Sequence, residues 1–269
     1  MPGALPTTAL LALTPLHGPH PLLTHALPWA EALHAALVKA SDDGGDRGPS
    51  HCLTGRDDFG NPLTGHQHAF VLPLSLGTTG ATGPAGTTGS GEPSSPLPSP
   101  GSADAPIDHA LIHAPMGLDA PARAALTRIE RLWLAPRSLT LRVELLALGL
   151  REDLAARVPA LRPATAWRSV TPFVAPRHIK ERGRNTVEEQ IQAELAAHGL
   201  PRAAAVEVET DQAGRSPHWA RFVLERQPPD RRPPIRMGFG VRLRFIEPVP
   251  GPPAIGYAAH FGLGQLVPA

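Results

Sequence analysis

With 269 residues, 42% of them apolar, the chain is long enough for one large domain or for two of about 100–150 residues. Aromatic residues make up 4%, so Leu, Ala and Val must fill the core, while 33 prolines and 26 glycines concentrate in connections. A formal net charge of +1 argues against a generic nucleic-acid coat protein, and the one cysteine, Cys52, excludes an intrachain disulfide framework and a cysteine-based zinc site. That cysteine usage fits a reducing compartment. No stretch approaches the ~20 apolar residues of a membrane span. The apolar run Ala9–Leu13 lacks both the preceding basic region and the length of a signal peptide, so a soluble, cytoplasmic protein is expected.

Thr7–Leu13 reads as a buried strand that Pro15 ends, and 16–25 as a loop. A helix follows, with Pro28 in its first turn and Leu27, Ala30, Leu33, His34 and Leu37 at helical spacing. His34, near that apolar face, reads as a packed residue. An acidic, glycine-rich loop over 41–48 precedes Gly55-Arg56-Asp57-Asp58-Phe59-Gly60-Asn61-Pro62, where the two aspartates read as turn formers bonding their own backbone. Two apolar runs, each opened by histidine, come next: Gly65-His66-Gln67-His68-Ala69-Phe70-Val71-Leu72-Pro73-Leu74 and Ile107-Asp108-His109-Ala110-Leu111-Ile112-His113-Ala114-Pro115. They are expected to form a hairpin. The low-complexity segment 77–106 between them has almost nothing to bury and reads as a flexible extension of its tip.

Asp119 can cap a helix that Pro121 enters, with Ala122, Ala125, Leu126, Ile129 and Trp133 as its stripe, and Leu139–Leu145 alternates as a strand. The order β-α-β-β-α-β over 1–148 is that of a ferredoxin-like split βαβ unit. Residues 149–163 read as a connector. A second, degraded unit over 164–269 is expected, its second helix reduced or missing. Its elements are a strand over Trp167–Ala175, a helix opened by the capping box Thr186-Val187-Glu188-Glu189 and closed by Gly199, and strands at Ala204–Glu209, Phe222–Leu224 and Gly238–Phe245. A glycine-rich tail, Gly256–Leu266, ends it. The fold class is α+β, two tandem ferredoxin-like domains.

Thirteen histidines either reflect the drift of an Ala/Pro/Arg-rich composition or mark chemistry. On a strand His66 and His68 would share a face, as would His109 and His113, and a hairpin would bring the pairs into one neighbourhood. Three readings stay open. The imidazoles are hairpin-end residues bonded to backbone. Or His66, His68, Asp108 and His109 hold a metal. Or the site cleaves RNA without metal, one imidazole removing the ribose 2′-OH proton and a second group protonating the 5′-oxygen. On the last reading His68, His109 and then His66 are the catalytic candidates, and no cofactor is needed.

Two basic clusters add a second signal. Arg177-His178-Ile179-Lys180-Glu181-Arg182-Gly183-Arg184 lies between a strand and a helix, and Arg226, Arg231, Arg232, Arg236, Arg242 and Arg244 form the other. Either is surface in isolation; together around a sheet they suit a phosphate backbone. In the tail, Gly262 and Gly264 would let backbone N–H groups approach a phosphate, or simply mark a bulged strand.

The ordered set Gly65–Phe70, Ile107-Asp108-His109, Thr171-Pro172-Phe173-Val174-Ala175-Pro176-Arg177-His178 and His260-Phe261-Gly262-Leu263-Gly264 resembles the CRISPR-associated proteins of type I-U (I-G) systems, specifically the repeat-RNA endoribonuclease part of that fusion. The resemblance implies tandem ferredoxin-like domains of the RAMP superfamily and cutting of precursor CRISPR RNA within repeats. It further implies metal-independent cleavage to a 2′,3′-cyclic phosphate, with the product kept in a type I effector complex beside other subunits. In relatives the catalytic histidine often lies in the first helical region, which makes His25 and His34 candidates on that ground. The alternative is a non-catalytic subunit that binds crRNA within the complex.

Overall fold

In the computed structural model, which describes residues 4–44, 48–77, 103–134, 139–209, 218–226 and 232–269, the apolar run at Thr8 is the middle strand of an antiparallel sheet. The first half runs β1 (Thr8–Pro15), α1 (Ala26–Ser41), a one-turn α2 (His51–Thr54), β2 (Phe70–Leu74), β3 (His109–His113), α3 (Ala120–Arg128), β4 (Arg131–Leu134) and β5 (Leu139–Gly149). The spatial order is β2-β3-β1-β5-β4. Period-2 alternation sorts the sheet's two faces. Ala9, Leu11, Leu13, Val71, Ala110 and Ile112 lie on the side of α1 and α3, with Leu27, Leu33, Leu37 and Leu126. Leu10, Phe70, Leu72 and Leu111 face the other way, against Leu154, Val158, Leu161 and Ala259.

Asp119 does what its position suggested. One carboxylate oxygen accepts the Ala122 N–H at 2.8 Å and the other accepts the Ser50 hydroxyl at 2.9 Å, so the cap of α3 also anchors the start of α2. The helix stops at Arg128, however, and Trp133 is not on its stripe. Residues 131–134 alternate out and in as β4, an extra edge strand pairing with β5, and Trp133 opposite Thr140 is 62% exposed.

The hairpin also differs from expectation at its entry. β2 opens at Phe70 rather than near Gly65, because Gly65 (φ 74°) and His66 (φ 51°) are left-handed, which no strand accommodates. His66 and His68 therefore sit in a turn, and strand alternation does not govern them. Most of the tip, 78–102, lies outside the described residues. Its end does not match a segment with nothing to bury. Ala103 and Ala105 are fully buried, Ala105 accepts the Leu23 N–H at 3.0 Å, and Asp104 pairs with Arg221.

The second half runs α4 (Arg151–Leu154), β6 (Ala164–Ser169), β7 (Phe173–Val174), α5 (Val187–Ala197), β8 (Ala205–Glu209), β9 (Gly238–Val249) and β10 (Leu266–Pro268). Thr186 caps α5 by accepting the Glu189 N–H at 3.2 Å. β6 and β7 pair with successive stretches of β9 on one side, β8 pairs with it, and β10 joins β6. The single strand expected over 167–175 is broken at 170–172, where Pro172 has no N–H to give and Thr171 bonds instead to Gly262 and Gln265. Phe222–Leu224 is not a strand. It follows a 3-10 turn (Trp219–Arg221), and Val223 donates to Thr24 across the molecule at 2.9 Å. A core of Trp167, Phe173, Ile191, Leu195, Val241, Leu243 and Phe245 lies between α5 and this second sheet.

Between β9 and β10 the chain carries a 3-10 turn (Ala259–Phe261) and a glycine-rich path that lies on β2. A Cβ at Gly262 would come within 2.5 Å of Pro73, and one at Gly264 within 1.8 Å of the Ile255 carbonyl oxygen. Both residues have positive φ, so a side chain at Gly262 would push the tail off the first sheet and one at Gly264 would spread the tail itself.

Candidate active site

The close approach of tail to β2 brings together imidazoles from three distant parts of the sequence. His66 and His68 come from the turn before β2, His198 from the C-terminal cap of α5, and His260 from the 3-10 turn of the tail. His260 stacks on His68 at 3.7 Å and on Phe70 at 3.9 Å between ring centroids. His66 stacks on His198 at 4.1 Å. The two stacks are joined by a hydrogen bond of 3.0 Å between His66 Nδ1 and His260 Nε2.

The proton positions in that chain follow from its end. His260 Nδ1 lies 3.2 Å from the Ala69 carbonyl oxygen, which can only accept, so Nδ1 carries the proton. In neutral His260 the Nε2 lone pair must then accept from His66, which places a proton on His66 Nδ1. His66 Nε2 takes part in neither bond. Burial pushes the His260 pKa down to about 2, with neighbouring His68 adding to the effect. Burial likewise pushes His68 and His198 to about 4, with His66 lowering both further. These three rings are neutral at pH 7. His68 Nδ1 and His198 Nε2 are buried with no hydrogen-bond partner among the described residues.

Behind the stack, His34 of α1 donates from Nε2 to the Leu53 carbonyl at 2.7 Å and meets Phe261 edge-on at 5.1 Å. The Arg226 guanidinium lies 4.1 Å from the centroid of the Phe261 ring and pairs with Glu31 at 2.6 Å. Arg226 thus belongs to this packed layer and not to an open cationic cluster.

His109 is not part of the assembly. In an antiparallel hairpin the opening of one strand meets the close of the other. Phe70 is opposite His113, and His109 is opposite Leu74 at the far end. His109 Nδ1 lies 2.7 Å from Asp108, whose carboxylate also accepts the N–H groups of Leu76 and Gly77. Burial raises the Asp108 pKa, but His109 and those two N–H groups together outweigh it and leave it lowered. His113 is buried at the other end and bonds Thr8 at 3.0 Å, and burial holds its pKa down at about 4. The four-ligand set His66, His68, Asp108 and His109 is therefore not assembled. Among the described residues no group of three or more His, Cys, Asp or Glu side chains could hold a metal.

The basic segment is open to solvent. Arg177, His178, Lys180, Arg182 and Arg184 are all exposed on the loop before α5. That loop is at the opposite end of α5 from His198, about 16 Å away for an 11-residue helix. Arg242 and Arg244 share the outer face of β9, where Arg242 pairs with Glu209 at 2.8 Å. Arg232 and Arg236 both pair with Glu225, and Arg231 lies outside the described residues. Gly262 and Gly264 are buried, and their N–H groups donate to Ala259 and Pro172, so they pack the tail and offer nothing to a phosphate. Asp57 is the turn former that its context suggested, accepting the N–H groups of Phe59 and Asn61. The residues missing from the sequence-based candidates are His198 and His260. The one local signal for His260 is its place in a glycine-rich tail, where the backbone can approach another strand closely.

No protein-family model and no curated protein matches the sequence. Several solved structures align with it over nearly its whole length. A CRISPR associated protein Cas6 is 11% identical with a TM-score of 0.48, covering 98% of this chain and 99% of its own. A Cas6-related protein from Pyrococcus furiosus is 8% identical with a TM-score of 0.44, covering 97% of each chain. A Cas6 product complex is 14% identical with a TM-score of 0.41, covering 99% of this chain and 100% of its own. No described helix is long and apolar enough to cross a membrane.

Proposed function

We propose that the chain is a metal-independent endoribonuclease, built from two ferredoxin-like units in tandem, that cuts CRISPR precursor RNA within its repeats. The observation that carries the reading is the 3.0 Å bond between His66 and His260, with the far side of His260 fixed on a backbone carbonyl. An imidazole oriented by a second group is the arrangement general-base chemistry needs. In the proposed step His66 Nε2 takes the proton of a ribose 2′-OH. The 2′-oxygen forms its bond to the adjacent phosphorus, the bond from phosphorus to the 5′-oxygen breaks, and a proton donor returns a proton to that oxygen. A 2′,3′-cyclic phosphate and a 5′-hydroxyl result. His260 is a positioning residue. The exposed cations of the loop at 177–184 and the arginine face of β9 suit the phosphate backbone on either side of the cut. Of the residues favoured from sequence, His66 is the base in this reading, His68 supports the stack, and His109 stands outside it.

A second reading has one observation in its favour: His68, His198 and His260 are neutral, stacked and half-buried, as packing residues would be. On that reading the protein binds crRNA in the effector complex without cutting it. Incubation with matched repeat RNA in EDTA separates the two. Cleavage is expected, and is expected to vanish when the scissile nucleotide is 2′-deoxy. Tight binding with intact RNA would sink the nuclease reading.

A further inference from the structure

Away from the imidazoles, between the two sheets, lies a cavity of about 190 Å³. The end of β2 and the residues after it form one wall, the Pro159–Ala160 turn a second, and Val170, just past β6, with Val267 of β10 a third. Gln265 also lines it. The backbone of Gln265 is satisfied: its N–H donates to Thr171 Oγ1 at 2.9 Å and its carbonyl accepts the Val170 N–H at 2.9 Å. The side chain is 0% exposed, so its amide meets an occupant of the cavity by turning toward it, and among the described residues neither its oxygen nor its nitrogen has a hydrogen-bond partner. A buried amide without partners is destabilising, and native proteins rarely keep one without a use.

The chemistry of the walls defines what would fit. A primary amide offers one acceptor and one donor side by side. The remaining lining is mostly aliphatic and prolyl. A flat ring with apolar faces and an adjacent donor and acceptor on one edge is complementary to both, and a nucleobase is such a ring. Arg168 also lines the cavity. In register it is opposite Arg242 on β9, so it shares a face with Arg242 and Arg244. That face gives a cationic approach leading to the cavity.

We propose that this cavity receives one unstacked base of a single-stranded RNA and that Gln265 reads its donor–acceptor edge. The proposal rests on the RNA reading above and adds a specificity residue to it. The RNA enters along the arginine face, and the base leaves the strand beside Arg168.

The test is binding of a repeat-length RNA in which each nucleotide in turn is abasic, with wild type, Gln265→Met and Ser75→Trp. Gln265→Met keeps the length of the side chain and removes the amide, so it should unfold at or above the wild-type temperature. Ser75→Trp fills the cavity from its half-buried rim and carries the test should the first variant misfold. One position is expected where loss of the base weakens wild-type binding about tenfold. Both variants should bind the intact RNA about tenfold more weakly and be indifferent to that position. RNA bound equally well with and without every base leaves the RNA reading standing and overturns the pocket alone. Variants that keep the wild-type preference also overturn it, as does a free nucleoside monophosphate that binds as tightly as the strand. A wild type that binds no RNA overturns the RNA reading itself.

Discussion

The two ends of the β2–β3 hairpin are roughly 14 Å apart and treat histidine in opposite ways. At the entry, His66, His68 and His260 have one another, a carbonyl and a phenyl ring for company. At the far end His109 has a buried carboxylate that also holds two backbone N–H groups. The same side chain is therefore one link of an imidazole chain in one place and a brace on a turn in the other. Both use Nδ1, but that of His66 meets a second imidazole, whereas that of His109 meets a carboxylate committed to the backbone as much as to the ring.

The largest expected effect tests that division directly. His66→Ala should slow single-turnover cleavage of repeat RNA by about 10²–10⁴, the range for loss of a general base, with RNA affinity within about threefold. His109→Ala should change cleavage by no more than about threefold. A reversal of these two results would move the chemistry to the far end of the hairpin. His260→Phe keeps a ring in the stack and removes the orienting bond. It should cost about tenfold and displace the acidic limb of the pH–rate profile, a change that a packing role alone would not produce.

Sensitivity to acid should come from the entry end. His68, His198 and His113 are held down at about 4, and His260 at about 2, below the ordinary imidazole value of 6.5. Above pH 6.5 these rings are neutral folded and unfolded, so their full contribution is present. Below it the unfolded chain takes up protons that the folded chain refuses, and stability falls as the pH drops from about 6.5 towards 4. Discounted for partial exposure, each ring contributes on the order of 1–2 kcal/mol of that loss. The urea midpoint should fall between pH 7.5 and 4.5, and should fall less in a His68→Phe, His260→Phe double variant. An equal drop in both proteins would mean that the stack does not control the acid response.

Local rules in the sequence were enough for some of this and not for the rest. The apolar period of α1, the Asp119 cap of α3, the Thr186 cap of α5 and the alternation along β9 are consequences of neighbouring residues, and all are readable as such. The turn at His66 is not, because its left-handed backbone belongs to a non-glycine residue and breaks the alternation that His-x-His suggests. Trp133 fits a helical stripe and a period-2 strand equally well, and pairing with β5 decided it. Hairpin polarity was readable in principle. Two runs that both open with histidine place those openings at opposite ends of an antiparallel pair. The meeting of residues 66, 198 and 260 is a product of tertiary packing, set by how closely Gly262 lets the tail approach Pro73.

The smallest effect is expected at the far end, where the comparison is easiest to break. Asp108→Ala would leave the Leu76 and Gly77 N–H groups without their acceptor and free His109 Nδ1. Water can reach Gly77, which is exposed, so the cost should be about 1–2 kcal/mol in chemical denaturation, and Asp108→Asn, which keeps one acceptor oxygen, should cost less. Neither should alter cleavage beyond about threefold at saturating RNA, because no bond of the His66–His260 chain passes through this end. If Asp108→Asn were as stable as wild type and cleavage fell a hundredfold, the carboxylate would be orienting a catalytic His109. The imidazole stack at the entry would then be the packing element.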